Sequence, residues 1–149
     1  MRAVRERGED VVLLLCGDGP YREDLERAVH DAGLGDCIRF LGVRADVPDL
    51  LQAADVAILP STFEGLPYTA LEAQAAGLPI LLSDAVSTRA EAGGDVIWLP
   101  IDQGPEPWVE ALESLRSRPA TPRTNAIRGT QFDMAEASQQ FNALLDGRA

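Results

Sequence analysis

Lysine is absent from this chain, histidine occurs once, cysteine twice, and the aromatic residues make up only 5% of the sequence. All thirteen basic residues are arginine, against 24 acidic ones, for a net charge of -11. Phosphate-backbone binding needs a basic stripe that releases counterions, so this balance excludes a nucleic-acid surface. It also opposes attachment to an anionic membrane. The exclusive use of arginine, beside abundant alanine, reads as GC-rich coding bias and not as a functional device. Cys16 closes one apolar run and Cys37 precedes another, in neither a redox-type nor a metal-type spacing. Both are expected to be buried, reduced thiols. No metal site is expected, and the single His30 reads as a surface residue. No run approaches the ~20 apolar residues of a membrane span. The start, Met1-Arg2-Ala3-Val4-Arg5-Glu6-Arg7, lacks the apolar core of a secretory signal. The reading is a cytosolic protein without a transmembrane segment.

What is present is a chain of 149 residues, 46% hydrophobic and 25% charged, sufficient for one globular domain with its own core. Short β-type runs alternate with helical patterns, the signature of a parallel sheet covered on both faces. Val11-Val12-Leu13-Leu14-Leu15-Cys16 is apolar throughout, as a strand buried on both faces would be. Tyr21, Leu25, Ala28, Val29 and Ala32 then recur at helical spacing as one apolar stripe. Ile38-Arg39-Phe40-Leu41 predicts a second strand, and Asp46 an N-cap before a short helix with Pro48 in its first turn and Leu50, Leu51 and Ala54 inward. Val56-Ala57-Ile58-Leu59, Ile80-Leu81-Leu82 and Val96-Ile97-Trp98-Leu99 complete five strands. Pro105 and Pro107 open a helix bearing Trp108, Ala111, Leu112 and Leu115. The expected organisation is a Rossmann-like domain over residues 1–116, a linker over 117–131 and a final helix over 132–146. Met134, Ala137, Phe141 and Leu144 or Leu145 would form one side of that helix.

In a parallel α/β sheet the ligand crevice lies outside the carboxyl ends of the strands. That rule directs attention to residues 17–20, 42–46 and 60–68. The last of these loops leads from a strand into an alanine-rich helix that starts near Pro67, which forgoes an amide with no intrahelical partner. The amides of Tyr68 and Thr69 are then free to receive an anion at the positive end of the helix dipole. Glu64 precedes the helix and Glu72 lies more than a turn inside it. Beside a phosphate, both carboxylates are better spent on sugar or ribose hydroxyls, where each charge-assisted hydrogen bond contributes roughly 1.5 to 3 kcal/mol. On spacing alone, a solvated loop glutamate and an exposed helix glutamate remain the commoner alternative.

Several motifs now stand in order: Gly17-Asp18-Gly19-Pro20, Ile38-Arg39-Phe40-Leu41-Gly42, Asp55-Val56, Pro60-Ser61, and Glu64 and Glu72 with seven residues between them. Together they resemble the second, donor-binding domain of GT-B glycosyltransferases of family 4. The run Leu82-Ser83-Asp84-Ala85-Val86-Ser87-Thr88-Arg89-Ala90-Glu91 and the Glu106-Pro107-Trp108 helix resemble the exopolysaccharide and capsule subgroup. The resemblance implies an α/β, parallel-sheet, Rossmann-like second half of a GT-B fold. It implies a retaining hexosyltransferase that uses a nucleotide-diphosphate sugar, with UDP-sugar the expected donor and no metal required. By position, Glu64 would be the catalytic-site carboxylate on the donor hexose hydroxyls, Gly65, Leu66, Pro67, Tyr68 and Thr69 would line the sugar and diphosphate, and Glu72 would hold the ribose. Val43 and Arg44 would border the base, and Gly17 and Gly19 would let the chain pass close to the nucleotide.

The departures are as informative. Members of the family carry an Arg and a Lys after the first strand of this domain, and an acceptor-binding first domain with a histidine; neither has a counterpart in these residues. The expectation is a donor-binding domain lacking its first strand and its partner domain, inactive in transfer by itself and prone to associate through an open sheet edge or by exchange of its last helix. A nucleotide-binding module that never catalyses, and an inert associating remnant, are the readings from other classes. Related GT-B epimerases have histidine-rich sites with no match in a chain holding one histidine.

Overall fold

The computed structural model describes residues 1–8, 10–119 and 122–135. Strands and helices alternate through α1 (Arg2–Glu6), β1 (Leu13–Cys16), α2 (Arg22–Asp31), β2 (Ile38–Gly42), α3 (Val47–Ala53), β3 (Ala57–Leu59), α4 (Tyr68–Ala75), β4 (Ile80–Ser83), β5 (Val96–Leu99) and α5 (Glu106–Arg116). All strand pairs are parallel. The expected strands all form, within a residue or two of their predicted ends. They divide, however, into a two-stranded sheet β1–β2 and a three-stranded sheet β3–β4–β5, not one sheet of five. The chain likewise forms two units, residues 1–47 and 48–149, with the boundary in the first turn of α3.

In the first unit, Leu13 to Leu15 pair with Ile38 to Phe40, after which the register shifts so that Cys16 faces Gly42. The burial of β1 alternates between half-buried and exposed instead of being complete, which corrects the expectation of a strand buried on both faces. Leu14 and Cys16 share one face of β1 and that face is uncovered, so Leu14 is 41% exposed and Cys16 lies open. The expectation of a buried thiol fails for Cys16 for this reason. Cys37, half-buried, directs its Sγ at the Leu34 carbonyl at 3.4 Å. The apolar stripe predicted for α2 is present, but none of its residues is buried. Leu25 and Val29 instead line an open groove of about 370 Å³ with Leu13, Leu15, Ile38 and Phe40.

The second unit has the better core. β4 is paired on both edges and all four of its residues are buried. Ala70 and Ala73 of α4 pack with Leu78, Ile80, Leu82 and Ala90, and Leu51, Ala57, Leu59, Val96 and Trp98 close around them. Each fully buried Leu or Ile contributes roughly 1.5 to 3 kcal/mol. Val109 and Leu112 bury the inner side of α5, and Trp108 Nε1 donates to the Pro100 carbonyl at 2.9 Å.

Residues read as a linker are tied to this unit. Arg123 donates to the carbonyls of Leu51 (3.1 Å), Gln52 (2.7 Å) and Ala54, at the end of α3. The Ala126 amide donates to the Gln74 carbonyl at 3.1 Å. The final helix expected over 132–146 lies, from residue 136 onward, outside the described residues.

Candidate functional site at the carboxyl ends of the strands

β3 and β4 run side by side in the same direction, so the loops that leave them emerge at the same end of the sheet. The loop after β3 carries Glu64, and the loop after β4 carries Val86. An isolated parallel bridge joins these two residues. Glu64 is half-buried, and its Oε1 accepts a hydrogen bond from Ser61 Oγ at 3.1 Å. The carboxylate is therefore oriented from both ends, by its own backbone and by a neighbouring hydroxyl.

α4 begins one residue later than predicted, with Pro67 as the N-cap in extended conformation instead of in the first turn. The Pro67 carbonyl accepts from the amides of Ala70 (3.0 Å) and Leu71 (3.4 Å). Among the described residues nothing accepts from the amides of Tyr68 and Thr69. These two donors stand at the positive end of the helix. Between residues 48 and 88 the chain has no basic residue, so an anion there would meet backbone amides and no side-chain cation from this stretch.

Ala70, Leu71, Ala73 and Gln74 form the buried side of α4, and Glu72 projects from the exposed side. Glu72 is the fifth helical residue, ~6 Å along the axis from Tyr68 at 1.5 Å per residue. Its carboxylate has no hydrogen-bond or ion-pair partner among the described residues. Gly65, Leu66, Tyr68 and Thr69 are exposed around this end, and Pro67 is buried.

The remaining predicted residues belong to the first unit. Gly17 follows β1 at φ 120°, a conformation that disfavours any side chain, and its amide donates to the Gly42 carbonyl at 2.8 Å. The Gly19 amide donates to Asp18 Oδ1 at 2.8 Å, and a side chain at Gly19 would meet nothing within 4 Å. Val43 is 82% exposed. Arg44 is engaged with Asp46, through Nε to Oδ1 at 2.7 Å and through Nη2 to Oδ2. That hydrogen bond holds the Asp46 carboxyl below the usual aspartate range and raises the Arg44 guanidinium.

One residue escaped the sequence reading. Gln74 is fully buried on the α4 face that packs inward, with all its polar atoms bonded. The signal was available: Gln74 follows Ala70 by four and Leu71 by three, which places a polar amide in the middle of the apolar stripe.

Among the described residues no helix is long and apolar enough to cross a membrane, and no group of three or more His, Cys, Asp or Glu side chains is arranged to hold a metal ion.

Parallel strands alternating with helices, with Glu64 in the loop after β3 and the start of α4 behind it, make up an α/β, Rossmann-like half. The chain belongs to the glycosyl transferases group 1 family, whose model matches residues 1–118. EpsF of Bacillus subtilis (strain 168) is 32% identical over 145 residues, covering 96% of this chain and 38% of its own length. LpsD of Rhizobium meliloti (strain 1021), a lipopolysaccharide core biosynthesis glycosyltransferase, is 34% identical over 121 residues, covering 80% of this chain and 35% of its own. Among solved structures, HepE of Anabaena in complex with UDP matches at TM-score 0.75 and 25% identity over 92% of this chain and 41% of its own. The same protein in complex with UDP-glucose matches at TM-score 0.70 and 26% identity, with the same coverage. This chain thus spans about two fifths of the length of these relatives.

Proposed function

We propose that the second unit carries the donor end of a glycosyl-transfer site that takes a UDP-sugar. The observation that carries this reading is the arrangement after β3: an oriented carboxylate at Glu64 and, without partners among the described residues, the amides of Tyr68 and Thr69 and the carboxylate of Glu72 one turn beyond. A nucleotide sugar offers matching groups in that order. Sugar hydroxyls would donate to Glu64, the diphosphate would accept from the amides at the helix start, and ribose hydroxyls would donate to Glu72. Gly65, Leu66 and Pro67 would border the sugar and diphosphate. For Gly17, Gly19, Val43 and Arg44 the proposed contact with the nucleotide rests on the family resemblance alone. HepE, a relative in fold, is known in complex with UDP and with UDP-glucose, which supports the choice of base.

In the retaining reaction proposed here the chain's own residues position the donor and meet developing charge, and neither glutamate needs to act as a base. Transfer itself would require an acceptor-binding domain that closes on the donor and excludes water. The proposed process is surface polysaccharide synthesis, with LpsD, a lipopolysaccharide core biosynthesis glycosyltransferase, as the supporting likeness. The donor would bind without a metal, and the chain alone would bind UDP weakly and transfer nothing. Calorimetry with UDP and UDP-glucose tests this reading. Weak binding that falls tenfold or more in Glu72→Ala supports it, and micromolar binding that survives that substitution overturns it.

A second reading has its own observation. Among the described residues β1 pairs only with β2 and β3 only with β4, and an edge left open in this way invites a strand from another chain. Self-association through a sheet edge would give concentration-dependent sedimentation; a monomer at all concentrations rules it out.

A further inference from the structure

We propose that Gln74 is a positioning residue for the sugar end of the donor site, acting on Glu64 and not on Glu72. The inference rests on the donor reading of Glu64 given above. The Gln74 side chain is fully buried and spans two structural elements. Its Nε2 donates to the Ala70 carbonyl at 3.0 Å, within α4, and to the Ala90 carbonyl at 2.6 Å, in the loop between β4 and β5. Its Oε1 accepts from the amides of Ala92 at 2.7 Å and Gly94 at 3.4 Å. Two carbonyls face the NH₂ group and two amides face the oxygen, so only one orientation of the carboxamide satisfies all four.

The loop that Gln74 grips is the one that braces Glu64. It leaves β4 through a turn in which the Val86 amide donates to the Ser83 carbonyl at 3.1 Å. Val86, 3% exposed, then bridges to Glu64. The loop continues through a short 3-10 turn, Thr88–Ala90, directly into the residues held by Gln74. Without the carboxamide, the buried groups of Ala90 and Ala92 would lack partners and be drawn toward water. The loop would move with them, and with it the backbone support of Glu64. Glu72 is insulated from this change. At 3.6 residues per turn, two residues along a helix amount to ~200° around it, so Gln74 and Glu72 point to opposite sides of α4. The fit is close, since a Cβ on Gly94 would stand 2.7 Å from Gln74 Cγ.

The test uses the full chain with Gln74→Met, which keeps the side-chain length and removes the bonds, and Gly94→Ala, which crowds the carboxamide and leaves it intact. Two quantities are read: hydrogen exchange of the Val86 amide, and affinity for UDP-glucose relative to UDP. Both variants should speed Val86 exchange at least tenfold while the amides of β4 stay protected. The preference for UDP-glucose over UDP should fall at least fivefold, with UDP affinity itself changed less than twofold. A general loss of structure would lower both affinities together, and that outcome overturns the proposal, as does an unchanged preference. A wild-type chain that binds neither nucleotide sinks the donor reading, and unchanged Val86 exchange separately sinks the clamp.

Discussion

Gly77 turns the chain out of α4 at φ 65° directly beneath Thr124: a Cβ on Gly77 would lie 2.7 Å from both the amide nitrogen and the carbonyl oxygen of Thr124. Two independent constraints therefore demand glycine at one position. The left-handed conformation costs other residues ~1 to 2 kcal/mol, and the backbone of Thr124 would have to withdraw from an added methyl. Gly77→Ala is expected to lose at least about 2 kcal/mol in urea unfolding. A loss within ~0.5 kcal/mol, the range of an ordinary surface substitution, would mean that the 123–126 segment does not seat on this turn.

Arg123 gathers three carbonyls at the end of α3, where the helix dipole favours a cation. Its exposure limits the effect. Arg123→Met should cost about 1 kcal/mol. Arg123→Lys should restore only part of this, because an ammonium lacks the planar fork that reaches several acceptors at once. Equal stability of the Lys variant and the native chain would argue against the forked arrangement.

Ser61 orients the Glu64 carboxylate through a single hydrogen bond. Such a bond contributes ~0.5 to 1.5 kcal/mol net, so Ser61→Ala should weaken UDP-glucose binding roughly two- to tenfold and leave UDP binding unchanged. Equal weakening of both ligands would move Ser61 away from the sugar end.

Two exposed ion pairs give the first unit a pH dependence of known sign. Hydrogen bonds from Arg5 to Asp36 and from Arg44 to Asp46 lower both carboxyl pKa values in the folded state. A carboxyl depressed on folding contributes stability above its unfolded value, about 3.9, and loses it as pH falls through the lower folded value. The arginine partners are raised, so their contribution is constant over the accessible range. Asp36→Asn and Asp46→Asn should each reduce the urea midpoint slightly at pH 7 and low salt. The difference from the native chain should vanish in strong acid and shrink with added salt. A difference that persists in acid would assign the effect to packing.

Much of the fold was written in local signals. Apolar runs bounded by glycine, proline and aspartate marked every strand, and Val96–Leu99 ends where its residues predict. The run from Ser61 to Gly77 also folds as loop then helix, because Pro67 and Gly77 each fix one end. What local pattern could not reveal was which apolar faces find a cover. Leu14 and Cys16 look as buried in sequence as Ile80 and Leu82, yet they lie on an uncovered face of β1, whereas both faces of β4 are buried. Contacts distant in sequence were equally hidden. Arg123 reaches carbonyls about seventy residues earlier, and nothing in a stretch rich in Pro, Thr and Arg announces that. Gln74 is the intermediate case, a polar residue at apolar spacing whose partners lie sixteen to twenty residues ahead.

Ala70 and Ala73, both wholly buried against β4, set how near α4 can lie to the sheet. A helix seated on such small side chains has no slack on that side, since added methylenes would lift it and carry its N-terminus away. Variation along α4 is thereby steered to Tyr68, Thr69 and Glu72, the positions that face outward. The helix can trade one set of ligand contacts for another while its seat stays fixed, so new preferences could evolve here at little risk to folding.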